Sequence, residues 1–361
     1  MLKQFRIKAL DSFQQGAVQV NQFVQTRFKV AYDELMGARE KMKDLVSTNY
    51  NLGMSHLEKG HLKDAVFRFN MLLRFYPEYV PAIYQLGRCH YLQAKNDKAL
   101  GNFQRVLALD PNHQEAHYML ALLQGRSDVN DLPLGVVKDY FNHIAADYDN
   151  EYVQTQEYRG HEKCFEIART HFDKTQNDKW SILDLGCGTG LCAALFREND
   201  MAFKIKGIDI SVQMLDRARQ RLVHERATYN FVKEIDVQTY ASEADETFDV
   251  IVAAGLFEFI GDLSVVFTGV AAKLAPRGLY IFTIQKDDEP GFHMVPTLES
   301  FVHSPSYVET LGVDVGLEMV TKEEFKLYKD KPGVAYVFQK KAISAVPAIA
   351  DDAQIGISTV S

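Results

Sequence analysis

One short pattern recurs at a fixed spacing, and it limits what the first third of this chain can fold into. Tyr50-Asn51-Leu52-Gly53, Tyr84-Gln85-Leu86-Gly87 and Tyr118-Met119-Leu120-Ala121 stand 34 residues apart. The same offset pairs Ala65 with Ala99, Phe69 with Phe103 and Pro77 with Pro111. Self-similarity at such a period marks a stack of helical units, none of which can bury its apolar face alone. Each recurring position has a packing reason. The small Gly53 admits a close second helix, Ala65 sits where the two helices cross, and Phe69 fills the gap to the next pair. Gly60 ends the first helix in a left-handed conformation. Pro77 ends the second, because proline disfavours a helical residue before it and removes a donor.

The pattern resembles the tetratricopeptide repeat, although that family's Trp and first Tyr positions are filled differently here. Residues 46–79 and 80–113 form two repeats and 114–125 a terminal helix. A weaker echo at Val18, Ala31 and Leu35 makes 1–45 a helical cap or a degenerate repeat. Such an array binds a protein or peptide, dimerises, or covers a neighbouring domain, and the sequence leaves these open.

With 361 residues and roughly 150 per domain, a second domain must follow. Residues 126–135 are a linker, since Gly, Pro, Asn and Asp cluster there. Beyond it, strands alternate with helices. The strands are Trp180–Leu185, Lys204–Asp209, Thr228–Val232, Phe248–Ala253, Leu279–Ile284, Glu318–Tyr328 and Val334–Gln339. Helices are expected over 136–150, 160–173, 211–224, 263–274 and 304–315, the last with Ser304 as N-cap and Pro305 at its first position. This order predicts an α/β fold, a Rossmann-like doubly wound sheet of seven mostly parallel strands. The last two strands, close in sequence, form an antiparallel pair at one edge. The tail, 342–361, is rich in small residues and has no Lys or Arg, so it is expected to be disordered.

The chemistry centres on Leu183-Asp184-Leu185-Gly186-Cys187-Gly188-Thr189-Gly190, which ends a strand and opens a helix. Glycines let the backbone approach a ligand, and the helix start offers free N–H groups. A dinucleotide fingerprint needs a third glycine where Leu191 stands, which weakens a dehydrogenase reading. A phosphate-binding loop needs Lys-Ser/Thr after the last glycine, and that is absent.

Residues 136–341 resemble the class I S-adenosylmethionine-dependent methyltransferases. With the repeats in front, 46–341 is similar to bacterial methyltransferases that carry tetratricopeptide repeats. The resemblance implies S-adenosylmethionine as cofactor. Asp184, Gly186, Cys187, Gly188 and Gly190 would form its loop, and Asp209, with Ile210 beside it, would hold the ribose hydroxyls. Asp236 and Val237 would meet the adenine, and Ala254 would border the methyl group. Tyr140-Phe141 and Tyr148-Asp149 match a helix that lids the cofactor, with Tyr148 near the sulfonium, as a cation attracts an aromatic face; packing as core is the other reading. Arg159 either pairs with the cofactor carboxylate or is a solvated surface residue. Arg277 stands where that family usually has a second glycine.

A base is optional when the methyl donor is already activated. Glu258, His143, His293 and His303 are candidates, and none is assigned as catalytic. No Asn/Asp-Pro-Pro-Tyr/Phe segment follows the fourth strand and no Pro-Cys pair exists, which demotes base methylation of nucleic acid. The net charge of −8 points the same way. Residues 1–30 alone carry +4 (Lys3, Arg6, Lys8, Arg27, Lys29 against Asp11), read as a solvated helix face. No apolar run reaches the ~18 residues that span a bilayer. Four cysteines without a signal peptide or paired metal-ligand spacing read as reduced thiols of a cytoplasmic protein.

The expected activity is methyl transfer to a small-molecule acceptor, the repeats serving protein interaction or dimerisation. The alternatives are a protein or peptide methyltransferase whose repeats dock the substrate, and a non-catalytic repeat scaffold.

Overall fold

The computed structural model describes residues 45–126, 129–172, 179–243, 246–296 and 299–341, with Lys29 apart from these. The expectations for 1–45 and 342–361 fall outside these residues, save Lys29 and Leu45. The chain divides into two compact units, 1–120 and 121–361.

The first unit is helical: α1 (residues 45–58), α2 (Leu62–Phe75), α3 (Val80–Leu92), α4 (Asn96–Leu109) and α5 (Gln114–Leu123). The repeated glycine and phenylalanine belong to one contact. A Cβ at Gly53 would stand 2.6 Å from the Phe69 ring, and one at Gly87 would stand 2.6 Å from the Phe103 ring. Phe69 thus rests on its own repeat's Gly53, and it also joins Ala65, Leu86 and Cys89 in one buried cluster. Gly60 turns the chain at φ +71, and Ala94 takes the matching turn of the next repeat at φ 55. Pro77 and Pro111 lie just beyond α2 and α4.

The second unit holds a seven-stranded sheet. Its strands are β1 (Trp180–Leu185), β2 (Ala202–Asp209), β5 (Phe231–Glu234), β6 (Phe248–Ala253), β7 (Leu274–Gln285), β10 (Leu317–Tyr328) and β11 (Lys331–Lys340). Two small hairpins take the other numbers: β3 (Leu222–Val223) with β4 (Arg226–Ala227), and β8 (Phe292–Val295) with β9 (Ser300–His303). The sheet order is β10-β11-β7-β6-β1-β2-β5. All neighbours pair in parallel except β11, which is antiparallel to both β7 and β10. The expected pair is at the edge, and its reversed member β11 lies one place inside the edge strand β10.

Alternation along the strands explains the two layers. Ile251, Ala253, Tyr280 and Phe282 face one way, toward α10 (Val237–Ser242), α11 (Ser264–Lys273) and α12 (Pro305–Asp314). Val250, Val252, Leu279 and Ile281 face the other, toward α7 (Gly160–Thr170), α8 (Leu191–Glu198) and α9 (Val212–Gln220). The expected N-cap is present: Ser304 Oγ accepts from the Tyr307 N–H at 3.3 Å.

Several boundaries differ from the sequence reading, among them the fifth strand, which begins at Leu274 and not Leu279. The helix expected over 136–150 stops early as α6 (Leu134–Ile144), and a π-helical turn, Asp149–Thr155, follows. The helix expected to reach 224 ends at Gln220, because the chain turns into the β3–β4 hairpin with His224 and Glu225 at positive φ. After that hairpin the chain bends over 228–230, where Thr228 Oγ1 donates back to the Arg221 carbonyl at 2.9 Å, so β5 begins at Phe231 and not Thr228.

Candidate functional site

Four parallel strands, β1, β2, β5 and β6, end at one rim of the sheet. In open α/β sheets ligands bind at that rim, where the strand order reverses, here between β1 and β6. The loop after β1 carries three left-handed glycines, Gly186, Gly188 and Gly190, at φ 64, 52 and 89. A Cβ at Gly186 would press on Leu256 at 2.8 Å, and one at Gly190 on Tyr229 at 2.9 Å. A Cβ at Gly188 would meet nothing within 4 Å, so this glycine borders open space.

Two buried carboxyls fix the loop. Asp209, last in β2, accepts from the Gly188 N–H at 2.9 Å and from the Ser211 N–H at 2.8 Å. Burial pushes its carboxyl up to about 6, against the pull of those backbone N–H groups. Asp184 accepts from the Tyr229 hydroxyl at 2.7 Å. Burial pushes it up to about 7, and the Tyr229 bond opposes the rise. Asp236 serves as the N-cap of α10, its Oδ2 accepting from the Thr239 N–H at 2.8 Å.

A cleft of about 700 Å³, mouth included, opens above this rim. Of the residues expected from the sequence, Tyr148, Gly186, Gly188, Asp209, Ile210, Asp236, Val237 and Ala254 line it. Asp184 and Cys187 line a second space of about 320 Å³, which shares Tyr148, Gly186, Gly188 and Ala254 with the first. Gly190 lines neither, and its place is in the turn beneath Tyr229.

The second space has two residues that the sequence did not single out. Tyr158 and His161, their rings stacked 5.5 Å apart, both face it. The Tyr158 hydroxyl and His161 Nδ1 are buried and have no partner among the described residues. A Cβ at either Gly160 or Gly255 would overlap the Tyr158 hydroxyl, so two glycines make room for that ring. Burial lowers the His161 pKa, which favours a neutral imidazole.

Tyr148 stacks on Tyr152 at 4.6 Å while lining both spaces, so it is at once packed and cavity-facing. Arg159 points elsewhere: it is exposed and pairs with Glu162 at 2.6 Å. The guanidinium that reaches the glycine loop belongs to Arg221. Its Nε donates to the Thr189 carbonyl at 2.7 Å and its other arm pairs with Asp149. Thr189 Oγ1 donates to the same carboxylate at 2.6 Å.

The candidate bases are scattered. His143 is exposed. His293 stands 3.7 Å from Asp287 and 3.9 Å from Glu289. His303 is fully buried, bonded to the Gly261 carbonyl at 3.0 Å, and burial lowers it to about 4. Glu258 is buried; its Oε2 accepts from the Tyr328 hydroxyl at 2.5 Å and its Oε1 has no partner among the described residues. The four cysteines are free and buried. Burial pushes the Cys89 thiol up to about 11.

The comparisons with known proteins fall on both halves of the chain. Residues 183–280 match the family model described as the methyltransferase domain, and residues 80–113 match that of the tetratricopeptide repeat. A ubiquinone biosynthesis O-methyltransferase of Neisseria meningitidis is 31% identical over 124 residues, 33% of this chain and 50% of that protein. A malonyl-[acyl-carrier protein] O-methyltransferase of Priestia megaterium is 23% identical over 150 residues, 41% of this chain and 50% of that protein. The chain thus spans about half the length of the curated relatives it matches. Among solved structures, the magnesium protoporphyrin IX methyltransferase of Synechocystis, with S-adenosylmethionine bound, covers 59% of this chain and 100% of its own at 17% identity and a TM-score of 0.46. In two separate segments, the chain is similar to the methyltransferase domain and to the tetratricopeptide repeat.

Proposed function

We propose that this protein is an S-adenosylmethionine-dependent methyltransferase acting on a small-molecule acceptor. The observation that carries the reading is the carboxylate of Asp209, held by two backbone N–H groups at the end of β2 and lining the cleft. Each of its oxygens accepts one of these bonds and keeps a lone pair for a vicinal diol such as ribose.

The residues present fit the group. The open space at Gly188 admits a ligand against the backbone. The unpartnered Tyr158 hydroxyl and His161 Nδ1 suit the polar end of an amino acid. Asp184, Asp209 and Asp236 make the surroundings acidic, as a sulfonium ligand requires. When bound, the cofactor supplies an activated methyl group. Val237 and Ile210 offer apolar contact for a purine, and Tyr148 presents a ring at the junction of the two spaces. Phe141 and Phe259, 4.7 Å apart, close the cleft and exclude water.

A small-molecule acceptor is supported by the matched relatives, whose names specify ubiquinone biosynthesis and a malonyl group borne on an acyl carrier protein, both small acceptor groups. We divide the chain into repeats over 46–125, a linker over 126–135 and a cofactor domain over 136–341. The repeats serve protein interaction; in favour of this, Phe67, Phe75 and Leu92 are exposed apolar side chains of the helical unit. Four free, buried thiols suit a cytoplasmic location. Among the described residues, no helix is long and apolar enough to cross a membrane.

Calorimetry with S-adenosylmethionine and S-adenosylhomocysteine tests the cofactor reading on wild type and Asp209→Ala. Binding by the wild type that the variant loses supports it. Failure of the wild type to bind either ligand overturns it, and binding of NADH in their place favours the dehydrogenase alternative.

A further inference from the structure

The first repeat carries a side-chain cluster that the cofactor site does not use. His56 lies in α1, His61 is the N-cap residue of α2, and Asp64 is in the first turn of α2. One ligand atom from each, an imidazole nitrogen from either histidine and a carboxylate oxygen from Asp64, all lie within 4.8 Å of one another. The imidazole rings stand 6.2 Å apart at 41°. Among the described residues none of the three side chains has a hydrogen-bond or ion-pair partner. We propose that His56, His61 and Asp64 bind a divalent transition-metal ion of the Zn²⁺, Co²⁺ or Ni²⁺ class and so clamp α1 to α2.

A hydrogen-bonded turn of the backbone gathers them. Gly60 turns left-handed, and the His61 N–H donates to the His56 carbonyl at 2.8 Å. The second repeat makes the same turn, with Ala94 at positive φ and the Lys95 N–H donating to the His90 carbonyl at 2.9 Å. At the matching offset of 34 it carries His90, Lys95 and Lys98. His90 there has a protein partner, Asn102 Nδ2 at 3.0 Å, and burial first, then Lys98 and Lys95, lowers its pKa. The helix–turn–helix therefore forms equally well with two lysines at positions 61 and 64 of the pattern. What the fold does not require, the first repeat has: two imidazoles and a carboxylate in place of one imidazole and two cations.

Ligand chemistry selects the ion. Mg²⁺ and Ca²⁺ take oxygen ligands, whereas imidazole suits zinc, nickel and copper. Two neutral imidazoles with one carboxylate leave coordination positions for water, as in sites that are not closed by four protein ligands. The ion joins two helices of one repeat, so its binding adds directly to the stability of that repeat.

The test is titration of the full chain with Zn²⁺ against a chromophoric chelator, with Co²⁺ absorption as a second readout of imidazole ligation. His61→Ala is expected to weaken Zn²⁺ by about 100-fold or more, since even outer partners of metal ligands cost 10–100-fold. The paired change His61→Lys with Asp64→Lys imports the second repeat's residues and is expected to fold with helical circular dichroism unchanged while losing the ion. His293→Ala is the control for the other His and carboxylate group, Asp287, Glu289 and His293, and is expected to leave the first site intact. No saturable binding by the wild type, or binding that survives both changes at His61, overturns the proposal.

Discussion

The backbone N–H of Gly188 donates to Asp209 Oδ2 at 2.9 Å, joining the glycine loop to the end of the neighbouring strand. The loop's shape and the acid's orientation are therefore one feature. Under the proposed function the free protein holds a proton on Asp209 below pH about 6. Only the carboxylate accepts from both hydroxyls of a diol. Affinity for S-adenosylhomocysteine is expected to fall below pH 6, approaching tenfold per pH unit. Calorimetry across pH 5 to 8 checks this, and Asp209→Asn is expected to bind weakly with a flat profile.

Asp184 carries the opposite lesson for stability. Its folded carboxyl titrates near 7, because burial outweighs the Tyr229 bond. An unfolded Asp titrates near 3.9. Between these values the unfolded chain releases a proton that the native state keeps, so stability is highest at the acid end of the window. It is lost as pH rises through 7, at about 1.4 kcal/mol for each pH unit of difference at most. Urea melts of the free protein at pH 5 and 8 are expected to show a lower midpoint at pH 8. Asp184→Asn, which keeps an oxygen for Tyr229, is expected to narrow that gap.

In the repeats, Gly53 and Gly87 are each a seat for a ring. A methyl group at Gly87 would stand 2.6 Å from Phe103, a fully buried side chain. Gly87→Ala is expected to cost about 1–3 kcal/mol, as overpacking does. The double change with Phe103→Leu is expected to recover part of it. Thermal melts followed by circular dichroism measure both.

The glycine loop and Asp209 were legible because they are contiguous, evenly spaced and bounded by a strand and a helix. The repeats were legible because Gly53 and Phe69 recur at Gly87 and Phe103. Tyr158, His161 and Arg221 were not. They reach the loop from the approach to α7, the start of α7 and the far end of α9, and contacts between distant segments leave no local pattern. Arg221 lies inside the helix expected over 211–224, and Arg159 is the cation that the sequence offers for the cofactor carboxylate. Asp236 has a second role as N-cap of α10 that the resemblance did not assign, although Asp is a favoured residue at that position. The β8–β9 hairpin escaped because Phe292-His293-Met294-Val295 is too short to show a period.

Arg221 and Asp149 hold the π-helical turn to the glycine loop, with Thr189 bonded to both. Asp149→Ala removes the carboxylate that accepts from both partners. In the proposed function this frees the segment carrying Tyr148, and S-adenosylhomocysteine is expected to dissociate about tenfold faster, the effect falling on the off-rate. Displacement of a labelled ligand, followed by stopped flow, gives the rate. Unchanged dissociation would mean that the other ties on the turn, the packing of Tyr148 on Tyr152 among them, hold it without that carboxylate.

Arg277 stands at φ 63, a left-handed conformation that an L side chain adopts at a cost of roughly 1–2 kcal/mol. Its side chain is exposed, and the tie that its residue makes is through the backbone: the Arg277 carbonyl accepts from Gln339 Nε2 at 3.0 Å. Glycine would keep that carbonyl and remove the strain, against a larger entropy loss on folding of about 0.5–1 kcal/mol. Arg277→Gly is therefore expected to raise the melting temperature slightly, by up to about 1 kcal/mol of stability. Arg277→Ala keeps the strain and is expected to change nothing. A gain with alanine equal to that with glycine would place the effect in the lost guanidinium and not in the backbone.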